Sequence, residues 1–232
     1  MAAHKAGQIL FTADSIGRIA PMEIERIEAM IAECCEDPDA DEGLQELLAV
    51  VADRNGIEPD EQELQRGSQF VVGYIEQVPY MLKVAGTAAA NVGLEKEMEQ
   101  IMNMVCSYWL EGLDIIPDHL GLIGLLDDAY CSMTTLQSVS DHFRLQTGKY
   151  LFPDDLTDAN RVMRKIIGDP YVSELDQFVS KALSEAGVMQ ALTALASPEK
   201  RRFLDDQANI WNHGPVGSIP LDRLKNLGLL ED

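Results

Sequence analysis

Apolar residues recur every three or four positions along almost the whole chain, which is the spacing of one face of an α-helix. The first such stripe consists of Ile24, Ile27, Met30, Ile31 and Cys34. No segment alternates apolar and polar residues in the way that a half-buried strand does. The pattern predicts an all-α protein, a compact multi-helix bundle of about nine helices without a sheet.

Proline, glycine and acidic residues predict where the helices begin and end. Pro79 lacks a backbone donor, so we expect a kink or break there. After a turn over Gly112–Asp118, a long helix is predicted to run to about Leu145. Ser197, followed by proline and glutamate, is a strong helix start, and that helix should continue to about Trp211.

The chain of 232 residues is long enough to bury a substantial core. The Gly148–Pro153 loop is the only plausible domain boundary. It divides an acidic helical region, residues 1–147, from a C-terminal helical region, residues 148–232. We expect the second region to pack on the first as one domain.

The charge is unusual, with a formal net charge of −21 and a pI near 4.4. This charge disfavours binding to nucleic acids and to anionic membrane surfaces, and it attracts basic proteins or divalent cations. Acidic side chains are concentrated between Glu33 and Glu63, where Arg54 is the only base. A docking face and an exposed helical hairpin both explain that concentration.

The cysteines and the apolar segments indicate the cellular compartment in which the protein is expected. Adjacent Cys34 and Cys35 form neither a CxxC redox pair nor a zinc motif. No signal peptide is expected, because no long apolar run follows the first residues. The longest weakly polar stretch, Val78–Leu94, is shorter than the roughly 20 residues that a membrane span requires. The sequence therefore predicts a reduced, cytoplasmic protein without a transmembrane segment.

An unusual cluster of polar and turn-forming residues lies between positions 104 and 139. Its defining residues are Tyr108, Asp114, Ile116, Pro117, Asp118, Gly124, Asp127 and Asp128. Their order and spacing resemble the motif of the YkvA-like family, small helical domains of unknown function. Gly112 and Gly121 stand where that family has prolines. The resemblance implies a helix–turn–helix unit and no particular reaction.

A structural role explains the same residues. Pro117 forces a turn, and Asp118 is placed to cap the helix that follows. On that helix Gly121, Gly124 and Asp128 would share one face, where the glycines permit close packing. The Asp128 carboxylate would then accept hydrogen bonds from the free N–H groups of the turn.

The alternative is a divalent-cation site. Its candidate ligands are Asp114, Asp118, Asp127, Asp128 and His119. Oxygen ligands of this kind suit Mg²⁺, Mn²⁺ or Ca²⁺. A catalytic metal would also need an open coordination position and a substrate pocket, which the sequence does not indicate.

Three functional hypotheses follow. The chain contains no G-x-S-x-G, Walker A, G-x-G-x-x-G or H-E-x-x-H motif, which favours a non-enzymatic interaction or regulatory protein. Such a protein would bind its partner through the acidic N-terminal half or a groove lined by Met98, Met102 and Met104. The second hypothesis is a metal-dependent, hydrolase-like enzyme that uses the aspartate cluster. The third is peripheral membrane association through the apolar run Leu120–Leu126, which also suits a helix core.

Overall fold

The computed structural model describes residues 21–111, 115–205 and, near the C-terminus, 221, 224 and 227–230. These residues form nine α-helices and one short 3₁₀ segment, without a β-strand, so the all-α prediction is confirmed. The helices are α1 (Pro21–Glu36), α2 (Ala40–Arg54), α3 (Glu61–Val92), α4 (Glu95–Glu111), α5 (Leu126–Thr147), α6 (Thr157–Ile167), α7 (Tyr171–Glu185), α8 (Val188–Leu195) and α9 (Pro198–Asp205).

Helix α5 lies at the centre and packs against α3, α4, α6, α7 and α8. Its buried side chains include Met133, Leu136 and Phe143. One hydrophobic core contains residues from both sides of the 148–153 loop, in which Leu151 and Phe152 are themselves buried. The described parts of the regions 1–147 and 148–232 thus share one core, in which α5 packs against α6, α7 and α8.

Local sequence signals determine where helix α3 begins and ends, and packing determines whether the helix continues through its middle. At its start the Asp60 side chain accepts a hydrogen bond from the Glu63 N–H, and the Glu63 side chain accepts one from the Asp60 N–H. Gly93, with φ of 75°, ends the helix. The break expected at Pro79 does not occur. Both Val78 and Pro79 are buried, and this packing offsets the missing hydrogen bond.

The segment before α5 differs from the prediction. Residues Asp118–Ile123 form the 3₁₀ segment, and α5 begins only at Leu126. Gly121 interrupts the 3₁₀ segment with φ of 62° and ψ of −130°, a conformation essentially restricted to glycine. The expectation that Gly121, Gly124 and Asp128 share one helix face is therefore wrong. Glycine at position 121 permits a kink in the 3₁₀ segment, and no atom lies within 4 Å of the position that a Cβ would take there.

The C-terminal helices follow the sequence signals closely. Gly187, with φ of 66°, separates α7 from α8. Helix α9 begins at Pro198, as predicted, and its described part ends at Asp205. The predicted continuation to Trp211 lies outside the described residues. No helix in the described ranges is long and apolar enough to cross a membrane.

Candidate functional site

The side chain of Asp127 is fully buried at the first turn of α5 and holds the preceding turn. Its Oδ2 atom accepts hydrogen bonds from the backbone N–H groups of Ile115 at 2.9 Å and Ile116 at 3.0 Å. The Tyr108 hydroxyl of α4 donates a third at 3.0 Å. One carboxylate oxygen thus joins α4, the turn and α5.

Burial governs the electrostatics of this site. It raises the pKa of Asp127, and the hydrogen bonds from Ile116, Tyr108 and Ile115 oppose that rise. Burial and the neighbouring Asp127 also raise the pKa of Tyr108, so the phenol stays protonated and continues to donate. Among the described residues, Oδ1 of Asp127 has no hydrogen-bond partner.

The sequence predicted that Asp128 would accept the N–H groups of the turn, but that carboxylate is Asp127. With Asp118 as the expected cap, the helix should have begun at residue 119; it begins seven residues later, at Leu126, so Asp127 lies in its first turn, next to the turn at 115–116. The backbone oxygen of Asp128 accepts a hydrogen bond from Ser132 Oγ at 2.7 Å. Ser132 Oγ in turn accepts one from Trp109 Nε1 at 2.8 Å, which ties α5 to α4.

The predicted metal ligands lie in different settings. Asp127 and Asp128 are fully buried, and His119 is exposed. Asp114 and the side chain of Asp118 lie outside the described residues. Within the part that is described, no group of three or more His, Cys, Asp or Glu side chains could hold a metal ion. The donors around Asp127 Oδ2 suit a carboxylate that caps a turn, and the metal site stays a prediction.

The carboxylates between positions 33 and 63, here called the acidic face, lie on the last turn of α1, on α2, on the loops beside α2 and on the first turn of α3. All but one of its carboxylates are exposed, the exception being the partly buried Glu63. The exposed ones are Glu33, Glu36, Asp37, Asp39, Asp41, Glu42, Glu46, Asp53, Glu58, Asp60 and Glu61. Some of them also accept hydrogen bonds: Asp41 from Ser68 Oγ at 2.5 Å and from Gln45 Nε2 at 2.6 Å, and Asp60 from the Glu63 N–H at 2.8 Å.

Two adjoining surface pockets between α1 and α3, both lined by Glu28 and Lys83, are together called the α1–α3 groove. One half, of about 360 Å³, is lined chiefly by Glu28, Ile31, Glu76, Pro79 and Tyr80. The other half, of about 440 Å³, is lined chiefly by Ile24, Glu25, Gly86, Thr87 and Met102. Lys83 lines both halves and forms an exposed ion pair with Glu28 across the groove. The sequence did not predict this groove, because the packing of α1 against α3 creates it.

A further cleft, of about 550 Å³, lies on the other side of the same α3 surface. Apolar side chains Val84, Leu151 and Pro153 line it, together with Tyr80. Tyr80 is 47% exposed and stands between this cleft and the α1–α3 groove. Met98, Met102 and Met104 are buried, and Met102 lines the second half of the α1–α3 groove; the methionine-lined partner groove stays a prediction.

No protein-family model matches this chain, and no curated protein or solved structure is significantly similar to it. The resemblance to the YkvA-like family therefore rests on the motif residues alone. The turn that carries those residues is held by hydrogen bonds between Tyr108, Asp127 and the backbone at 115–116.

Proposed function

We propose that this protein is a non-enzymatic interaction or regulatory protein whose acidic face binds a basic protein partner. The observation that carries the proposal is the exposure of nearly every carboxylate between Glu33 and Glu63 in a stretch where Arg54 is the only base. Like charges at this density repel one another and weaken the folded state. A basic partner relieves that repulsion and is also steered to the face over a long distance.

The surroundings of Asp127 support the non-enzymatic part of this proposal. Asp127 uses its Oδ2 atom to hold three donors, and such a group stabilises the turn. A catalytic acid or base must instead come within about 3 Å of a substrate atom. Burial of Asp127 among Tyr108, Ile115 and Ile116 favours a structural role for it.

The apolar run that suggested membrane association contributes mainly to the core. Leu122, Leu125 and Leu126 are buried, and Leu120 is the large exposed residue of the run, at 47%. A single exposed leucine is common on protein surfaces and offers little area for insertion into a bilayer. Partner binding through the acidic face is therefore the function that we put forward.

The experiment compares two variants that remove equal charge from different surfaces. The test variant replaces Glu33, Glu36, Glu42 and Glu46 of the acidic face by glutamine. The control variant replaces Glu95, Glu111, Glu174 and Glu199, which are exposed elsewhere, by glutamine. Each tagged protein is used to capture partners from a native extract at low and at high salt, and the affinity for the recovered partner is then measured.

We expect a stoichiometric basic partner whose binding weakens with salt. The test variant should lose about tenfold or more in affinity, and the control should change much less. Recovery of no stoichiometric partner at either salt concentration would contradict the proposal. An equal loss in both variants would show that net charge alone, and not the acidic face, causes the binding.

A further inference from the structure

We propose that the α1–α3 groove binds one basic amphipathic helix of the partner, with a cation of that helix replacing Lys83 at Glu28. The inference rests on the proposed function and adds a second contact site for the same partner, at a groove whose lining residues lie outside the acidic face. It is carried by three observations: the length of the groove, its apolar floor with acidic edges, and the exposed ion pair that crosses it.

The length of the groove fits a short helix. Ile31 of α1 lies beside Pro79 of α3 in one half of the groove, and Ile24 lies beside Gly86 in the other. The two helices are therefore antiparallel along the groove. From Glu76 to Thr87, α3 advances by about 17 Å, at about 1.5 Å per residue. A partner helix of about three turns would fill that length, as amphipathic helices do in hydrophobic grooves.

The chemistry of the groove complements a basic amphipathic helix. The floor is apolar, formed by residues such as Ile31, Pro79 and Met102. Exposed carboxylates of Glu25, Glu28 and Glu76 stand along the edges, and Lys83 is the one basic residue among the described lining residues. Apolar side chains of a partner would contact the floor, and its lysine or arginine residues would pair with the edges.

Replacement of the Lys83 ammonium group at Glu28 by a cation of the partner costs little free energy. Both side chains are about half exposed, at 54% and 43%. Exposed pairs of this kind contribute about 0–1 kcal/mol to stability. An arginine of the partner can bind a carboxylate through two parallel hydrogen bonds, which lysine cannot. Glu28 can thus change from an intramolecular to an intermolecular partner with little cost to the fold.

Charge also decides between a partner and a second copy of this chain. Each copy has a net charge of −21, so two copies would bring like charges together at the acidic edges. A basic helix would instead neutralise Glu25, Glu28 and Glu76. The proposal therefore commits to a basic segment from a different protein.

The test uses the full chain and a synthetic helical peptide of about 18 residues, with leucines on one face and lysine and arginine beside them. A second peptide keeps the leucines and replaces every base by glutamate. Dissociation constants are measured by fluorescence anisotropy. The blocking variant is Gly86→Leu, because a Cβ at Gly86 meets only the Met102 side chain, at 3.8 Å or more. Gly73→Leu is its control on the same helix, since no atom lies within 4 Å of a Cβ there.

We expect the basic peptide to bind and the acidic peptide not to bind. Gly86→Leu should weaken binding about tenfold or more, and Gly73→Leu should leave it within about twofold. Glu28→Gln combined with Glu76→Gln should weaken it as well and reduce its dependence on salt. Circular dichroism of each variant verifies that the helices are retained.

Several results would overturn the inference. If the basic peptide does not bind, or if it binds Gly86→Leu as well as wild type, the groove is not its site. If sedimentation shows a dimer that Gly86→Leu abolishes, the occupant is a second copy. Peptide binding that appears only after residues 1–20 are deleted would assign the groove to that segment. Each of these results leaves the acidic-face variants, and so the proposed function, to be judged separately.

Discussion

Replacement of Asp127 by alanine tests whether this buried carboxylate holds the turn before α5. The change removes one acceptor and leaves three donors, Tyr108 Oη–H and the N–H groups of Ile115 and Ile116, without their partner. A buried unpaired donor costs about 1–3 kcal/mol. The isoleucines are partly exposed, so water can satisfy part of the demand, and we expect a total loss of about 3–5 kcal/mol.

Urea unfolding monitored by far-UV circular dichroism measures this loss. For a chain of 232 residues, 4 kcal/mol corresponds to a fall in Tm of roughly 8–16 °C. Asp127→Asn keeps an acceptor oxygen and should cost less, about 1–2 kcal/mol. Asp53→Ala, an exposed change on α2, is the control and should stay within about 0.5 kcal/mol. If Asp127→Ala costs no more than Asp53→Ala, the capping role is refuted.

The same variants give a prediction for pH. Burial raises the pKa of Asp127 in the folded state, so the folded state binds this proton more tightly than the unfolded state does. The stabilising contribution is fully present below the unfolded pKa, about 3.9, and is lost as the pH rises through the folded pKa. The free-energy advantage of wild type over Asp127→Asn should therefore shrink as the pH rises from about 4. An advantage that grows with pH would contradict a raised pKa.

Three further measurements test other parts of the structure. Gly121→Ala should lower the free energy of unfolding by about 1–3 kcal/mol because of the backbone conformation of Gly121. Gly73→Ala in α3 should raise it by about 0.5–1 kcal/mol. If urea unfolding shows that both variants change stability in the same direction, the special backbone conformation of Gly121 is refuted. Ser132→Ala removes the acceptor of the buried Trp109 indole and should cost about 1–3 kcal/mol, with a change in near-UV circular dichroism; an unchanged spectrum and stability would argue against that bond. Because Asp127 is engaged as a cap, Mg²⁺, Mn²⁺ or Ca²⁺ added to EDTA-treated protein should not change Tm; a rise of roughly 5–10 °C that Asp127→Asn abolishes would instead support the metal site.

Much of the fold is determined by short-range features of the sequence. The helix start at Pro198, the break at Gly187 and the capping of α3 by Asp60 each depend on residues within one turn of the helix end. Apolar residues at helical spacing then fix which side of each helix is buried. These features act locally, so one sequence is enough to predict them.

Only the tertiary structure decided the helical state of Pro79, the role of Asp127 and the position of the groove, because each depends on contacts between distant segments. Pro79 remains inside a helix because it is buried, together with Val78, where α3 packs in the core. Asp127 rather than Asp128 holds the turn because residues Asp118–Ile123 form a 3₁₀ segment interrupted at Gly121 and α5 begins only at Leu126. The α1–α3 groove exists only where two helices, separated by some fifty residues between Glu28 and Lys83, come together. Local preferences cannot specify contacts between such distant segments, because these contacts depend on the packing of the whole core.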